Sequence, residues 1–278
     1  MTAALDAVVR LALAEDLGTG GDVTSAATVP AGQRISGAVV ARAPGVVAGL
    51  EAGRAVFGVV DPSVEIQCLA ADGDRVAVEA PLLRVEGLAR SVLSAERTAL
   101  NLLSHLSGVA TLTARYVKAV QGTGAVIRDT RKTLPGLRAL QKAAVVAGGG
   151  HNHRMRLDDE LLVKDNHVRA AGGVAAAVRS ALAGAAGLPV QVEVDTLEQL
   201  DEALDQGASA VLLDNFDLET LRVAVLRCRA RPEKVFVEAS GGVTLATVRQ
   251  TAQTGVDAIA VGAITHSAPA LDLALDLG

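Results

Sequence analysis

Four side chains that can carry positive charge lie in two short segments of this chain. They are Arg131, Lys132, His153 and Arg154. The formal net charge of the 278-residue chain is −5, so a local cluster of cations indicates a pocket rather than a basic surface. Arginine can hold a carboxylate or a phosphate through two parallel hydrogen bonds. The cluster therefore predicts a site for a small molecule with several negative charges.

One lysine and three acidic residues follow apolar runs and are candidates for the same pocket. Lys164 comes directly after three apolar residues, although a salt bridge to Asp165 or to a neighbouring strand would explain it equally well. Glu193 and Asp195 are two residues apart, so they are expected on one face of a strand, and Asp214 ends the next run. These carboxylates could hold Mg²⁺, accept hydrogen bonds from sugar hydroxyls, stabilise developing positive charge, or neutralise the cations.

Glycine-rich segments after the last two apolar runs are suited to a phosphate group. Ser240-Gly241-Gly242 precedes a helical pattern, and Gly262-Ala263 follows the next run. Backbone N–H groups at such turns and at helix N-termini bind phosphate. The last two strands of an α/β barrel are a frequent place for this kind of site.

The segments that must position these residues fall into two regions with different patterns. Residues 2–17 and 88–106 have the period of amphipathic helices, and residues 35–86 are typical of short strands. After residue 109, six apolar runs that end in polar residues alternate with helical segments. The runs are 126–131, 161–166, 191–195, 210–215, 235–240 and 258–262.

This alternation predicts a parallel sheet covered by helices. A closed barrel gathers the carboxyl ends of all its strands around one mouth, whereas a doubly wound sheet brings together only those near its switch point. Because nearly every run ends in a polar or charged residue, the pattern favours a barrel over a doubly wound sheet.

Composition argues against several classes of protein. The chain has three Phe, one Tyr and no Trp, which leaves little for stacking on bases, and its acidic balance does not suit a DNA-binding surface. No nucleic-acid partner is therefore expected.

Cys68 and Cys228 have neither metal-site nor disulfide spacing. No apolar run reaches the roughly 18–20 residues of a membrane helix, and the N-terminal segment is acidic, so we expect a cytoplasmic protein without a membrane partner.

The chain resembles the quinolinate phosphoribosyltransferase family nearly from end to end. The resemblance rests on Glu15-Asp16-Leu17, Asp22-Val23-Thr24, Glu96-Arg97-Thr98 with Asn101, Arg128-Asp129-Thr130-Arg131-Lys132-Thr133, Gly148-Gly149-Gly150 with Asn152-His153-Arg154, Lys164-Asp165-Asn166-His167, Glu193-Val194-Asp195, Leu213-Asp214-Asn215, Ser240-Gly241-Gly242 and Val261-Gly262. The Arg-Lys-Thr and Asn-His-Arg elements in this order are highly specific. Gly20-Gly21 adds one residue to the family's usual turn and affects no proposed ligand.

The resemblance implies an α/β fold with two domains. A small N-terminal α/β sandwich would span residues 1–108, with residues 266–278 packing back on it through a last helix at 268–277. An incomplete parallel α/β barrel, of the type II phosphoribosyltransferase kind, would span residues 109–265. The family typically forms a homodimer, in which the N-terminal domain of one subunit covers the barrel mouth of the other. The resemblance leaves open whether such dimers assemble into a higher oligomer.

The resemblance also implies an activity. It is the Mg²⁺-dependent transfer of phosphoribose from phosphoribosyl pyrophosphate to quinolinate with decarboxylation, which gives nicotinate mononucleotide, pyrophosphate and CO2 in de novo NAD biosynthesis. Arg97, reaching across the dimer, would grip the dicarboxylate with Arg131, His153 and Arg154. The catalytic residues would be Lys132 and Lys164, which meet phosphate charge, and Glu193 and Asp214, which face the ribose and its Mg²⁺. The rest of the substrate-binding set would be Thr130, Ser240, Gly241, Gly242, Val261, Gly262 and Ala263.

Two other functions stay open at this point. A barrel aldolase or isomerase could use Lys164 to form a Schiff base, which requires a neutral amine. A relative that kept the fold could instead act on another substrate or only bind anions. A carbonyl substrate trapped on Lys164 by borohydride would favour the first alternative, and loss of the carboxylate-gripping residues would mark the second.

Overall fold

The computed structural model describes residues 2–278, which form two compact units. The first unit contains the described residues up to Ala114 together with residues 133–149 and 263–278, and the second contains residues 115–132 and 150–262. Residues 133–149 therefore pack with the N-terminal part of the chain. The predicted domain limits of 1–108 with 266–278, and of 109–265, stay a prediction.

The helices and strands alternate along most of the chain. Up to residue 119 they are α1 (Ala3–Leu17), α2 (Val23–Thr28), β1 (Arg34–Ala41), β2 (Gly45–Val46), α3 (Leu50–Val60), β3 (Glu65–Cys68), β4 (Arg75–Val76), β5 (Pro81–Leu88) and α4 (Ala89–Ala119). Then follow β6 (Val126–Arg128), α5 (Arg138–Ala147), β7 (Leu161–Val163), α6 (Asp165–Ala171), α7 (Val174–Gly184), β8 (Val190–Val194), α8 (Leu197–Asp205), β9 (Ala210–Asp214), α9 (Leu218–Arg229), β10 (Phe236–Ser240), α10 (Val248–Ala252), β11 (Ala258–Ala260), α11 (Ala263–His266) and β12 (Leu273–Leu277).

The first unit is built on a four-stranded antiparallel sheet of order β12-β1-β5-β3. Helix α1 agrees with the predicted helix over residues 2–17, and the hydroxyl of Thr2 accepts a hydrogen bond from the backbone N–H of Leu5 at its start. Leu5, Val9 and Leu13 are buried along one side of α1, because residues spaced by four lie on the same helical face. The sandwich character predicted for this part of the chain is confirmed.

The predicted helix over residues 88–106 is confirmed, but α4 continues to Ala119. Two other segments of the first unit differ from the sequence-based prediction. Helix α3 lies inside the region that was expected to contain only strands, and its residues Leu50, Gly53, Val56 and Phe57 are buried with a helical spacing. The predicted last helix at 268–277 is wrong, since residues 273–277 form strand β12. The alternation of leucine with smaller or acidic residues there has the period of a strand.

The second unit contains one six-stranded parallel sheet of order β6-β11-β10-β9-β8-β7. Strands that follow one another along the chain are neighbours in the sheet, except that β6 and β7 occupy the two edges. This is the strand order of a barrel opened between its first two strands, so the predicted incomplete barrel is confirmed. An isolated parallel bridge joins Arg128 to His151 on the β6 side of the opening.

The six apolar runs predicted as strands all contain strands, and the segments between them contain the predicted helices. Helix α10, between the last two runs, covers only residues 248–252. Within residues 2–278, no helix is long and apolar enough to cross a membrane.

Candidate active site

A cavity of about 330 Å³ lies at the carboxyl ends of the parallel strands in the second unit. It is lined by Thr130, Arg131, Lys132, His153, Arg154, Leu162, Lys164, Glu193, Leu212, Asp214, Ser240 and Ala260. Most of these residues come just after, or at the end of, one of the six strands. Parallel strands present their carboxyl ends at the same edge, which explains why residues so distant in sequence meet here.

The cavity brings together most of the site residues predicted from the sequence. The predicted residues that line it are Thr130, Arg131, Lys132, His153, Arg154, Lys164, Glu193, Asp214 and Ser240. The register of the sheet contributes directly, since Ser240 pairs with Asp214 at the ends of β10 and β9.

The other predicted site residues do not line this cavity. Gly241 and Gly242 line a neighbouring cavity of about 510 Å³ in the same unit. Val261 and Gly262 follow the end of β11, and Ala263 begins α11. Arg97 is exposed on α4, in the first unit, so its predicted place across a dimer stays a prediction.

Lys164 forms an ion pair with Glu193 at the cavity. Its Nζ lies 2.6 Å from Glu193 Oε2, and the two side chains are 44 % and 12 % exposed. The backbone N–H of Lys164 donates to His167 Nδ1 at the start of α6, which fixes where the chain leaves β7. The ammonium group is therefore held at the mouth by a carboxylate of the next strand.

Two arginines concentrate positive charge on one side of the cavity. Burial lowers the pKa of Arg154, and the charge of Arg131 lowers it further, while Glu160, Asp159 and Glu193 oppose the shift. Arg154 Nη1 donates to the carbonyl oxygen of Glu160 at 2.9 Å. The Nε atom of Arg131 is buried and has no hydrogen-bond partner among residues 2–278, so it can still donate to a bound acceptor. This arrangement favours an anion with more than one charge.

Hydrogen bonds hold both the backbone and the side chain of His153. Its backbone N–H donates to Oδ1 of the fully buried Asp129 at 2.8 Å, and its Nδ1 accepts the backbone N–H of Arg154 at 2.7 Å. The imidazole is 6 % exposed. The predicted Asn-His-Arg segment is thus anchored to the end of β6 through Asp129.

A buried polar cluster next to the cavity received no role from the sequence. Glu238 is fully buried, and its Oε2 accepts hydrogen bonds from Arg128 Nη1 and Gln191 Nε2, each at 2.8 Å. Burial raises the pKa of Glu238, and the positive charge of Arg128 opposes this shift. The sequence did contain a signal for this cluster. Glu238 stands two residues before Ser240, and Gln191 stands two residues before Glu193, so each pair lies on one face of its strand.

The turn after β10 is locked against the end of β9. Asn215 has a positive φ of 58°, its Nδ2 donates to Asp214 Oδ2 at 2.7 Å, and its backbone N–H donates to the Ser240 carbonyl. Gly241 has a φ of 96°, and a Cβ there would lie 2.2 Å from Asn215 Oδ1. Only glycine fits at this position. The side chain of Asn215 that Gly241 packs against also orients the carboxylate of Asp214, through its hydrogen bond to Oδ2.

The carboxylates at the cavity are compatible with Mg²⁺. Glu193 and Asp214 are oxygen donors on adjacent strands, which suits an ion that uses one or two carboxylates and takes its other ligands from water and phosphates. Residues 2–278 contain no group of three or more His, Cys, Asp or Glu side chains placed to hold a metal by themselves. Asp195, expected beside Glu193, lies beyond the end of β8, is exposed and precedes α8.

Comparisons with known proteins cover almost the whole chain. The family model for the quinolinate phosphoribosyl transferase N-terminal domain matches residues 22–107, and the model for the C-terminal domain matches residues 109–276. A nicotinate-nucleotide pyrophosphorylase (carboxylating) of Mycobacterium leprae is 51 % identical over 273 residues, which are 97 % of this chain and 95 % of that protein. The chloroplastic protein of the same name from Arabidopsis thaliana is 40 % identical over 98 % of this chain and 82 % of its own length.

The fold agrees with a solved structure of the same kind. The nicotinate-nucleotide pyrophosphorylase of Francisella tularensis superposes with a TM-score of 0.94 at 38 % identity, over 99 % of this chain and 96 % of that one. A relative from Pyrococcus furiosus, at 20 % identity and a TM-score of 0.70, shares the fold. From the two matching domain models and the extent of these similarities, the chain belongs to the quinolinate phosphoribosyltransferase family of pentosyltransferases.

Proposed function

We propose that this protein transfers phosphoribose from phosphoribosyl pyrophosphate to quinolinate, with Mg²⁺, and releases nicotinate mononucleotide, pyrophosphate and CO2 in NAD biosynthesis. One observation supports this most strongly: a single cavity is lined by two arginines, two lysines and two carboxylates. Both substrates are polyanions, which the arginines and lysines can bind. The reacting sugar becomes cationic, and the carboxylates can stabilise that charge.

The arginines are placed to bind the two carboxylates of quinolinate. Arg131 and Arg154 are close enough for each to act on the charge of the other, which is unfavourable until a dianion lies between them. Once the ring nitrogen is ribosylated, the C–C bond to the 2-carboxylate can break. The electron pair then stays on the carbon next to the cationic nitrogen until that carbon takes a proton from water. No acid residue is required for this step, and CO2 release without phosphoribosyl pyrophosphate would contradict it.

Lys132 and Lys164 would meet the phosphate charges, and Ser240 with the following glycines would hold the 5′-phosphate through backbone N–H groups. Glu193 and Asp214 would face the ribose, where negative charge stabilises an oxocarbenium-like transition state. Mg²⁺, when bound by these carboxylates and by the substrate, would neutralise charge on the departing pyrophosphate. Glu193 also balances the charge of Lys164, so the phosphates of the donor would replace one anionic partner of this lysine by another.

We propose a cytoplasmic homodimer in which Arg97 of one subunit completes the quinolinate site of the other. Arg97 is an exposed arginine on α4, within the Glu96-Arg97-Thr98 motif of the family. An exposed guanidinium can reach a neighbouring subunit and hold a carboxylate by two parallel hydrogen bonds.

The decisive experiment is a product assay with purified protein, Mg²⁺ and phosphoribosyl pyrophosphate, with quinolinate or nicotinate as the acceptor. Equal amounts of nicotinate mononucleotide, pyrophosphate and CO2 from quinolinate are expected. Activity with nicotinate alone would keep the phosphoribosyl transfer but refute the dicarboxylate roles of the arginines. No activity with either acceptor would refute the proposal, and a chelator should abolish turnover if Mg²⁺ is required.

The Schiff-base alternative for Lys164 makes the opposite prediction. A Schiff base requires Lys164 Nζ to attack a carbonyl carbon, whereas this atom is held 2.6 Å from Glu193 Oε2. Borohydride should therefore trap no carbonyl compound on Lys164, and a trapped adduct identified by mass spectrometry would replace the proposed function with this alternative.

A further inference from the structure

Three polar residues each stand two positions before a residue that lines the cavity, so they lie further from the carboxyl ends of the strands. They are Arg128, Gln191 and Glu238, on β6, β8 and β10. Gln191 and Glu238 are 1 % and 0 % exposed, and the proposed function gives them no part. A buried carboxylate is costly unless it has a specific partner, so this cluster requires an explanation.

The hydrogen bonds of Glu238 all converge on one oxygen. Arg128 Nη1 and Gln191 Nε2 both donate to Oε2, and His153 Nε2 lies 3.7 Å from the same atom. The other oxygen, Oε1, has no partner among residues 2–278. Glu238 is therefore directed toward the imidazole of a residue that lines the cavity.

The hydrogen bonds of His153 determine which ring nitrogen faces Glu238 with a proton. Because the backbone N–H of Arg154 donates to Nδ1 at 2.7 Å, the lone pair of the neutral ring is on Nδ1 and its proton is on Nε2. The Nε2–H group thus faces the carboxylate of Glu238. At 3.7 Å this contact is electrostatic rather than a hydrogen bond, and a carboxylate at that distance favours the cationic form of the ring.

We propose that Glu238 is a positioning residue for quinolinate binding. It faces His153 Nε2 and stabilises the positive charge that the ring gains when Nδ1 gives up the hydrogen bond from the Arg154 N–H and takes a proton from solvent. A carboxylate of the substrate then accepts from both the Nδ1–H group and the Arg154 backbone N–H. The inference rests on the proposed function, because quinolinate supplies that carboxylate. Glu238 itself is fully buried and acts on the substrate only through His153.

The other charges around His153 support this assignment. Glu160 Oε2 lies 3.7 Å from Nδ1, so a carboxylate faces each ring nitrogen at the same distance. Asp129 accepts the backbone N–H of His153, while Arg154 opposes a second positive charge nearby. Arg128 neutralises part of the charge of Glu238, since its side chain is 17 % exposed and lies at 2.8 Å. A bound dianion would tip this balance toward the imidazolium.

The test is Glu238→Gln, which keeps the size of the side chain and removes its charge. Titration calorimetry with quinolinate alone, in buffers of different ionisation enthalpy, measures the protons taken up on binding. We expect wild-type protein to take up a proton and the variant to take up less. The Kd for quinolinate should rise about tenfold, as for loss of one charge-assisted contact, while the KM for phosphoribosyl pyrophosphate stays unchanged.

Two further variants separate positioning from simple neutralisation of Arg128. The double variant Arg128→Gln/Glu238→Gln removes both charges, so it should regain normal binding if Glu238 only balances Arg128. We expect it to keep the defect instead. Asp201→Asn is a matched control, because it also changes a carboxylate to an amide in an ion pair with an arginine, but on the outer helix α8. It should behave like wild type.

A spectroscopic measurement on the free protein makes the outcome independent of turnover. The ring ¹⁵N signals of His153, assigned with His153→Asn, should show a smaller protonated fraction at a given pH in Glu238→Gln than in wild type. An unchanged fraction, or full recovery of quinolinate binding in the double variant, would overturn the inference. Wild-type protein that neither binds nor converts quinolinate would refute the proposed function, while the ¹⁵N signals would still show whether Glu238 controls His153.

Discussion

Lys164 and Glu193, the residues at the ends of neighbouring strands, form an ion pair of 2.6 Å at the mouth of the cavity. The pair is partly exposed, and such pairs contribute at most about 1 kcal/mol to stability. Its placement is therefore better explained by charge balance in a site for polyanions than by a contribution to folding.

We predict that Glu193→Gln lowers kcat about 100-fold, as for loss of a preorganised charge that stabilises the transition state. The thermal midpoint should change little, because the lost ion pair is weak. Asp158→Asn is the control, since it removes the exposed ion pair between Arg156 and Asp158. Steady-state kinetics and calorimetry on both variants test this, and a Glu193→Gln enzyme within twofold of wild type would contradict the assigned role.

Arg97→Ala should abolish quinolinate binding and leave the fold intact, because Arg97 is exposed on α4. If it acts across a dimer, mixing Arg97→Ala with Lys164→Ala should restore one working site in each mixed dimer. Random reassortment then gives about a quarter of wild-type activity. The mixture is assayed after subunit exchange, with each variant alone as the control. Absence of recovery, with exchange shown by mass spectrometry, would mean that Arg97 does not act in the partner's site.

Gly241→Ala should be much more harmful than Gly242→Ala. The new methyl group would meet Asn215 Oδ1 at 2.2 Å and its backbone N at 2.7 Å, whereas nothing lies within 4 Å of a Cβ at Gly242. Both glycines have positive φ, so Gly242→Ala isolates the backbone cost of about 1–2 kcal/mol. We expect a further loss of stability and a higher KM for phosphoribosyl pyrophosphate only in Gly241→Ala, measured by denaturant unfolding and kinetics. Equal behaviour of the two variants would show that the turn relaxes freely.

Asp22 should stabilise the first unit in a pH-dependent manner. It caps α2 by accepting the backbone N–H of Ser25, and hydrogen bonds from Ser25 lower the pKa of its carboxyl group. A lowered folded-state pKa means that the stabilisation is complete above the ordinary pKa of aspartate, about 3.9, and is lost as the pH falls through the lower value. Asp22→Ala should cost about 1 kcal/mol at neutral pH.

Asp22→Asn is the matched control for this cap, because the amide oxygen can still accept the Ser25 N–H. It should cost less than Asp22→Ala at neutral pH and lack the acid-dependent component. Urea unfolding at several pH values checks both variants, and a difference between Ala and wild type that does not shrink in acid would disprove the linkage.

The two cysteines should differ in reactivity. Cys68 is exposed, whereas Cys228 is buried, and burial raises the pKa of the Cys228 thiol to about 11. Since the thiolate is the reactive form, a thiol reagent at pH 8 should modify Cys68 alone in the native protein and both residues in denaturant. Mass spectrometry gives the count, and Cys68→Ser should then leave the native chain unmodified. Native labelling of Cys228 would show that α9 opens easily.

Much of the second unit could be predicted from the sequence, because each short apolar run ends in the polar residue that a barrel places at its mouth. Lys164, Glu193 and Asp214 follow this rule, and all three line the cavity. Glu238 could not be given a partner in this way. Its contacts with Arg128 and Gln191 join strands that are far apart in sequence, and only the packed interior shows which charges meet.

The first unit was harder to predict because local patterns competed there. The turn signals Pro44-Gly45 and Asp72-Gly73 lie on either side of α3 and favoured short strands there. They concealed a helix whose buried residues are spaced by three and four. At the other end of the chain, the resemblance favoured a helix, while the alternating leucines of β12 had the correct period of two. The assignment of Arg97 to a partner's site depends on a second subunit and stays a prediction.

The pairing of β12 with β1 has a consequence for how the protein is made. Residues 273–277 leave the ribosome only after the entire second unit, yet they cover the open edge of a strand that was synthesised more than 200 residues earlier. Until then β1 presents unpaired backbone groups on that side, which is the kind of edge that recruits other chains. The N-terminal sheet therefore reaches its final form only after residues 273–277 have been made, and until then its open edge exposes the nascent chain to aggregation.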